Sequence, residues 1–188
     1  MKLRSGLTLR GTFVPEHWRP MENLTRVEQG LVLARMRIHG APYGLIHKQF
    51  SRNIVTNEGL DKVLDSLLHN DASATWYCLV VESDTDAAAG MTHETPVFTE
   101  STSYDEATRP EYVDVASSSQ SITNTASPAT FTISATKTFY GAALADKDTK
   151  NDQTAANCLL CYSKFGTSRA LVDDDVLNLT YIMNAADA

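Results

Sequence analysis

Cysteine is scarce in this chain, glycine and proline are sparse, and no long apolar run occurs; each shortage removes a class of protein. Three cysteines, Cys78, Cys158 and Cys161, cannot all pair within one chain, which excludes a disulfide scaffold. The longest uncharged apolar stretches, such as Thr75 to Val81, fall far short of the ~20 residues that cross a bilayer as a helix. The opening MKLRSGLTLRG is basic but lacks the apolar core of ~7–15 residues that a secretion signal needs, so none is expected. Nine glycines and six prolines, with no period, exclude a collagen, and no sustained heptad pattern supports a coiled coil. What is present suffices for a core. Over 188 residues, 43% are hydrophobic and 21% charged, the size and balance of one folded domain with or without an appendage.

The net charge of -7 hides a division. Residues 1–52 carry nine Lys/Arg against Glu16, Glu22 and Glu28, a net of +6, while the remaining 136 carry seven basic and twenty acidic side chains, a net of −13. Such a split suits a basic arm that docks on an acidic surface, or one that packs on its own acidic body. Nucleic acid is not expected as a partner, because the basic residues are scattered singly and no nucleic-acid motif accompanies them.

Cys158 and Cys161 have the CxxC spacing of zinc and redox sites, but their setting reads as a strand. Positions three apart on a strand point to opposite faces, so the thiols diverge, and no second pair completes four ligands. Buried, reduced cysteines are the expectation, with folding in a reducing cytoplasm.

Along the chain, residues 1–28 read as an extended basic arm, since Pro15 and Pro20 break any helix and periodicity is weak. A hairpin is expected over 31–55, from the runs Leu31–His39 and Leu45–Val55 around the turn Gly40-Ala-Pro-Tyr-Gly44. A helix is expected near 57–69, capped by Thr56 or Asn57, with Leu60, Val63, Leu64, Leu67 and Leu68 forming one stripe to lay on a sheet. Strands are expected at Thr75–Val81, Glu111–Val115, Ala129–Thr136, Thr138–Leu144, Cys158–Phe165 and Asp175–Met183, with a long polar loop over 82–107. The pattern predicts a mainly β fold, a β-sandwich or jelly-roll-like domain over 29–188 with one short amphipathic helix.

No catalytic, cofactor or metal site is expected. There is no Gly-x-Ser-x-Gly elbow. The histidines at 17, 39, 47, 69 and 93 never reach HExxH spacing and read as exposed or locally hydrogen-bonded. Asp173-Asp174-Asp175 and the acids Asp146, Asp148 and Asp152 read as solvated turns in preference to calcium sites. No pair of carboxylates stands out for glycoside chemistry. Trp76-Tyr77 and Phe139-Tyr140 could stack on sugars but sit in strand context, which favours the core. The sequons at Asn23 and Asn178 carry no weight without a secretion signal.

Five stretches carry a resemblance. Asn53-Ile-Val-Thr-Asn-Glu-Gly-Leu60 with the leucine stripe is followed by Thr75-Trp-Tyr-Cys-Leu-Val80. Then come Tyr104-Asp-Glu-Ala-Thr-Arg-Pro110, Asn124-Thr-Ala-Ser-Pro-Ala-Thr-Phe-Thr-Ile133 and Asp175-Val-Leu-Asn-Leu-Thr-Tyr181. In this order they resemble a family of small virion structural proteins of tailed bacteriophages, with departures at Cys78, Val80, Val81 and Asp174. The resemblance implies a virion location and no enzymatic activity. It leaves head or tail open; the preferred expectation is a capsid decoration or cement protein on the capsid exterior, bound to the major capsid protein and to itself as a dimer or trimer. Arg4, Arg10, Arg19, Arg26, Arg35 and Arg37, with Trp18 as an aromatic anchor, are then the expected partner-binding residues. The alternatives are a tail component (tube, adaptor or fibre-attachment subunit) and a host glycan- or receptor-binding module that uses the 82–107 loop with Trp76, Tyr77 and Tyr104.

Overall fold

Alternation with period two decides the last strand: Leu177, Leu179 and Tyr181 are buried, while Asn178 and Thr180 between them face outward. A computed structural model describes residues 7–20, 23–24, 43–69 and 74–187. Their strands are β1 (Leu7–Pro20), β2 (Tyr43–Lys48), β3 (Ser51–Arg52), β4 (Ile54–Val55), β5 (Tyr77–Val81), β6 (Ser121–Thr123), β7 (Ala129–Thr132), β8 (Lys137–Ala145), β9 (Leu159–Leu171) and β10 (Val176–Asp187). One helix, α1 (Asn57–Leu68), lies between β4 and β5.

Two antiparallel sheets form a β-sandwich. The first runs β2-β1-β10-β6, with β3 also on β1 and β7 also on β10; the second runs β4-β9-β8-β5. Phe13, Phe131, Leu177, Leu179 and Tyr181 from the first sheet meet Cys78, Val80, Phe139, Leu144 and Cys161 from the second in one core. The second sheet is buried on its other face too. There Leu79, Val81, Ala143, Ala145, Leu159 and Tyr162 lie under Met91 and Phe98. Burial on both faces explains why β5 and the second half of β8, Ala142–Ala145, read as unbroken apolar runs. It also explains the 82–107 loop, whose polar sequence carries a few apolar anchors that roof this face.

Residues 7–20 correct the reading of 1–28 as an arm. They form β1, which lies between β2 and β10 and pairs with β10 at twelve positions, from Leu7↔Asp187 to Trp18↔Val176. Pro15 is tolerated because that flank is free of ladder partners there: β3 takes Thr12 and Phe13, and β2 starts at Glu16. The Gln49 N–H fills the gap, donating to the Pro15 carbonyl at 3.3 Å. Residues 1–6 and most of 21–28 lie outside the described residues, as does the first hairpin run, Leu31–His39. The second run, Leu45–Val55, is divided among β2, β3 and β4. Glu111–Val115 is not a strand, because it crosses between the sheets. The Tyr112 N–H donates to the Trp76 carbonyl beside one sheet, and the Val115 N–H to the Thr123 carbonyl of the other.

The helix begins where expected. Thr56 Oγ1 accepts the Gly59 N–H at 3.0 Å and itself donates to the Leu159 carbonyl. The expected burial of its stripe is not found. Leu60, Leu64, Leu67 and Leu68 are 39%, 49%, 69% and 82% exposed, and Gly59 is the one buried residue of α1. The helix meets β9 through that glycine, whose added Cβ would lie 2.3 Å from the Leu160 carbonyl oxygen. Val63 packs at the core edge, and the leucines turn past it into solvent.

Candidate functional site

Among the described residues, two buried ionic clusters and one exposed apolar face are the features that chemistry could use. The first cluster grows from the segment 104–110. Three ties position it: the Asp105 N–H donates to the Thr132 carbonyl at 2.8 Å, the Arg109 N–H to the Asp148 carbonyl at 2.7 Å, and the Cys78 N–H to the Pro110 carbonyl at 2.8 Å. Glu106 accepts the Thr132 N–H at 3.0 Å, and the Tyr104 ring meets Phe131 edge-on at 5.0 Å.

So fixed, Arg109 points inward. Its Nε donates to Glu100 Oε1 at 2.9 Å and its Nη2 to Glu100 Oε2 at 2.6 Å. Nη1 donates to the Lys147 carbonyl at 2.8 Å and faces His93 Nε2 at 3.5 Å; Nη2 also reaches the Asp152 carbonyl at 3.4 Å. A guanidinium has five N–H donors, and all of them are occupied within the chain. His93 presents its backbone N–H to Glu58 at 2.7 Å, and its Nδ1 lies 3.1 Å from the Thr154 carbonyl. The network therefore assigns the proton to Nδ1 and the lone pair to Nε2, toward Arg109. The adjacent pocket, lined by Leu79, Phe98, Gln153 and Leu159, holds about 20 Å³, room for about one water. The cluster is a clamp that ties 93–109 to 147–154.

The second cluster surrounds Asp175, which is fully buried. Its carboxylate accepts from His17 Nε2 at 2.7 Å, Arg19 Nε at 2.8 Å, Arg19 Nη2 at 3.0 Å and the Val172 N–H at 3.0 Å. Burial alone would push this carboxyl up; the bonds from His17, Arg19 and Val172 outweigh it and hold the group below the usual carboxylate range. Asp173 and Asp174 are exposed, as a solvated turn requires, and the third aspartate is not. His17 and His93 are likewise buried partners of distant segments.

The thiols offer no nucleophile. Burial pushes Cys158 and Cys161 up to about 12 and Cys78 higher still, so each is a neutral thiol at pH 7. Among the described residues no three His, Cys, Asp or Glu side chains group as metal ligands, and no helix is long and apolar enough to cross a membrane.

Among the described residues, the expected partner-binding side chains do not form one patch. Arg10 is exposed on β1 opposite Asn184, whereas Arg19, roughly 30 Å farther along the strand, is engaged with Asp175 of its own chain. Trp18 is half-buried, and its indole N–H is out of solvent without a hydrogen-bond partner. Arg4, Arg26, Arg35 and Arg37 lie outside the described residues. Of the aromatics suggested for glycans, Tyr104 is buried and Trp76 packs against the core.

The exposed face is made by the α1 leucines; Val113 and Val115 are separately 47% and 49% exposed. Beside α1, which contributes Val63, opens a cavity of about 220 Å³ lined also by Trp76, Tyr112, Asp114, Leu160 and Met183 among others. The sequence shows the stripe by its periodicity, but not its exposure. Comparison with protein-family models gives no match, and comparison with curated proteins gives none either.

Proposed function

We propose that this chain is a structural subunit of a tailed-bacteriophage virion, and within that class a decoration protein bound to the major capsid lattice. The observation that carries the reading is an inversion of the usual arrangement. The polar side chains of the resembling blocks, Thr56, Glu106, Arg109, Asn124 and Asp175, are spent on bonds within the chain. Meanwhile the apolar stripe of the first block faces water. Blocks that fix a fold and leave an apolar face open suit an assembly part better than a catalyst.

Residues 7–20 are not a free tether, because β1 cannot leave the sheet without unpairing β10, so attachment to the lattice runs through the folded body. A subunit that binds only the expanded lattice stabilises it by mass action, and many repeated sites add avidity. Copy number in purified particles, measured by gel densitometry, tests the reading. Hundreds per particle are expected for the capsid, a few or a few dozen would move the chain to the tail, and absence from particles would overturn virion membership.

A further inference from the structure

Acids accompany the open face of α1 and the cavity beside it. Asp61 and Asp65 lie on the helix, Asp114 stands between Val113 and Val115, and all three are exposed. Lys62, the one basic residue of α1, is half-buried and already engaged. What fits here is a segment that brings an apolar side chain for the cavity of about 220 Å³ and cations for its rim. The chain carries that chemistry itself. Leu33-Ala-Arg-Met-Arg-Ile38 lies outside the described residues, and its sequence alternates Arg35 and Arg37 with Ala34, Met36 and Ile38. It belongs to the first 52 residues, with their net of +6, and the face to the remainder, with its net of −13.

We propose that the α1 face and its cavity receive the basic 33–38 segment of a second copy of this chain. Among the described residues the leucines stay exposed at 39–82%, so their cover comes from outside that set. Segment and face are different patches, so the contact is head-to-tail, and repetition closes into a ring where the rotation permits. Methionine is suited to such a socket, because its unbranched side chain fills irregular gaps. This inference rests on the reading of the chain as an assembly subunit, but the two fail separately: virion membership is read from particles, self-association from the purified chain.

Sedimentation velocity of the full chain across concentration provides the test. Association is expected, weakened as salt screens the acidic rim. Leu64→Gln with Leu68→Gln is expected to weaken it at least tenfold with an unchanged melting temperature, since both leucines are exposed. Arg35→Asp with Arg37→Asp is expected to abolish it, and mixing that variant with an Asp61→Lys, Asp65→Lys variant to restore a mixed oligomer. A chain that stays monomeric at every concentration overturns the proposal. So does association that survives the leucine or arginine substitutions, or a mixture of the charge variants that stays monomeric.

Discussion

Arg109 and Glu100, nine residues apart, meet through bonds of 2.9 and 2.6 Å with both side chains out of water. Removing two charges from water costs several kcal/mol each, and the pair persists because the remaining donors and acceptors are also filled. Glu100 takes a third bond from the Asn151 N–H at 2.9 Å. Arg109→Met leaves that carboxylate charged, buried and without its cation. The expected loss is about 3–5 kcal/mol, read from urea unfolding. A loss under about 1 kcal/mol would mean that solvent reaches the pair.

Asp175 makes stability depend on pH in one direction. Its folded carboxyl titrates below the ordinary value of about 3.9, so the folded state binds its proton less readily than the unfolded chain does. Its contribution is therefore complete above pH ~4 and is lost as pH falls through the lowered folded value. Asp175→Asn should destabilise the protein at pH 7, and the gap from wild type should close on acidification below pH ~4. Urea midpoints at a series of pH values check it; a gap that widens toward acid would refute the assignment.

Gly59→Ala sets two effects of opposite sign against each other. Helix propensity favours alanine by about 1 kcal/mol. The new Cβ, however, would stand 2.3 Å from the Leu160 carbonyl oxygen and 2.9 Å from its carbon, both of them backbone atoms. Overpacking of this kind costs about 1–3 kcal/mol, so a net loss is expected, visible as a lower melting temperature. A rise would show that α1 can lift from β9 freely.

The three cysteines are free and buried. In the native protein a thiol reagent such as Ellman's should label none of them at neutral pH, and in denaturant all three should react. Rapid labelling of the native chain would show that the core opens locally.

The fold class is legible in the sequence because it rests on local pattern: β5, β8 and β10 announce themselves by apolar content or alternation, and α1 by its cap. β1 is not, since Pro15 and Arg19 look like loop residues until a strand more than 150 positions away supplies a ladder and an acid. The clamp is hidden for a related reason. His93, Glu100 and Arg109 are residue types found mostly at surfaces, and only tertiary contact reveals that they satisfy one another's hydrogen bonds. The leucine stripe shows the reverse limit. Periodicity reports that a helix has an apolar side, not whether its own chain covers it.

The pairing of β1 with β10 also sets a timetable. During synthesis the first described strand leaves the ribosome long before the last one exists, and the first sheet has no central partner for it until then. At ~5–20 residues per second that interval is on the order of ten seconds. Throughout it, Phe13 and Val14 wait without a cover, so chaperone capture of nascent chains should be heaviest just before translation ends.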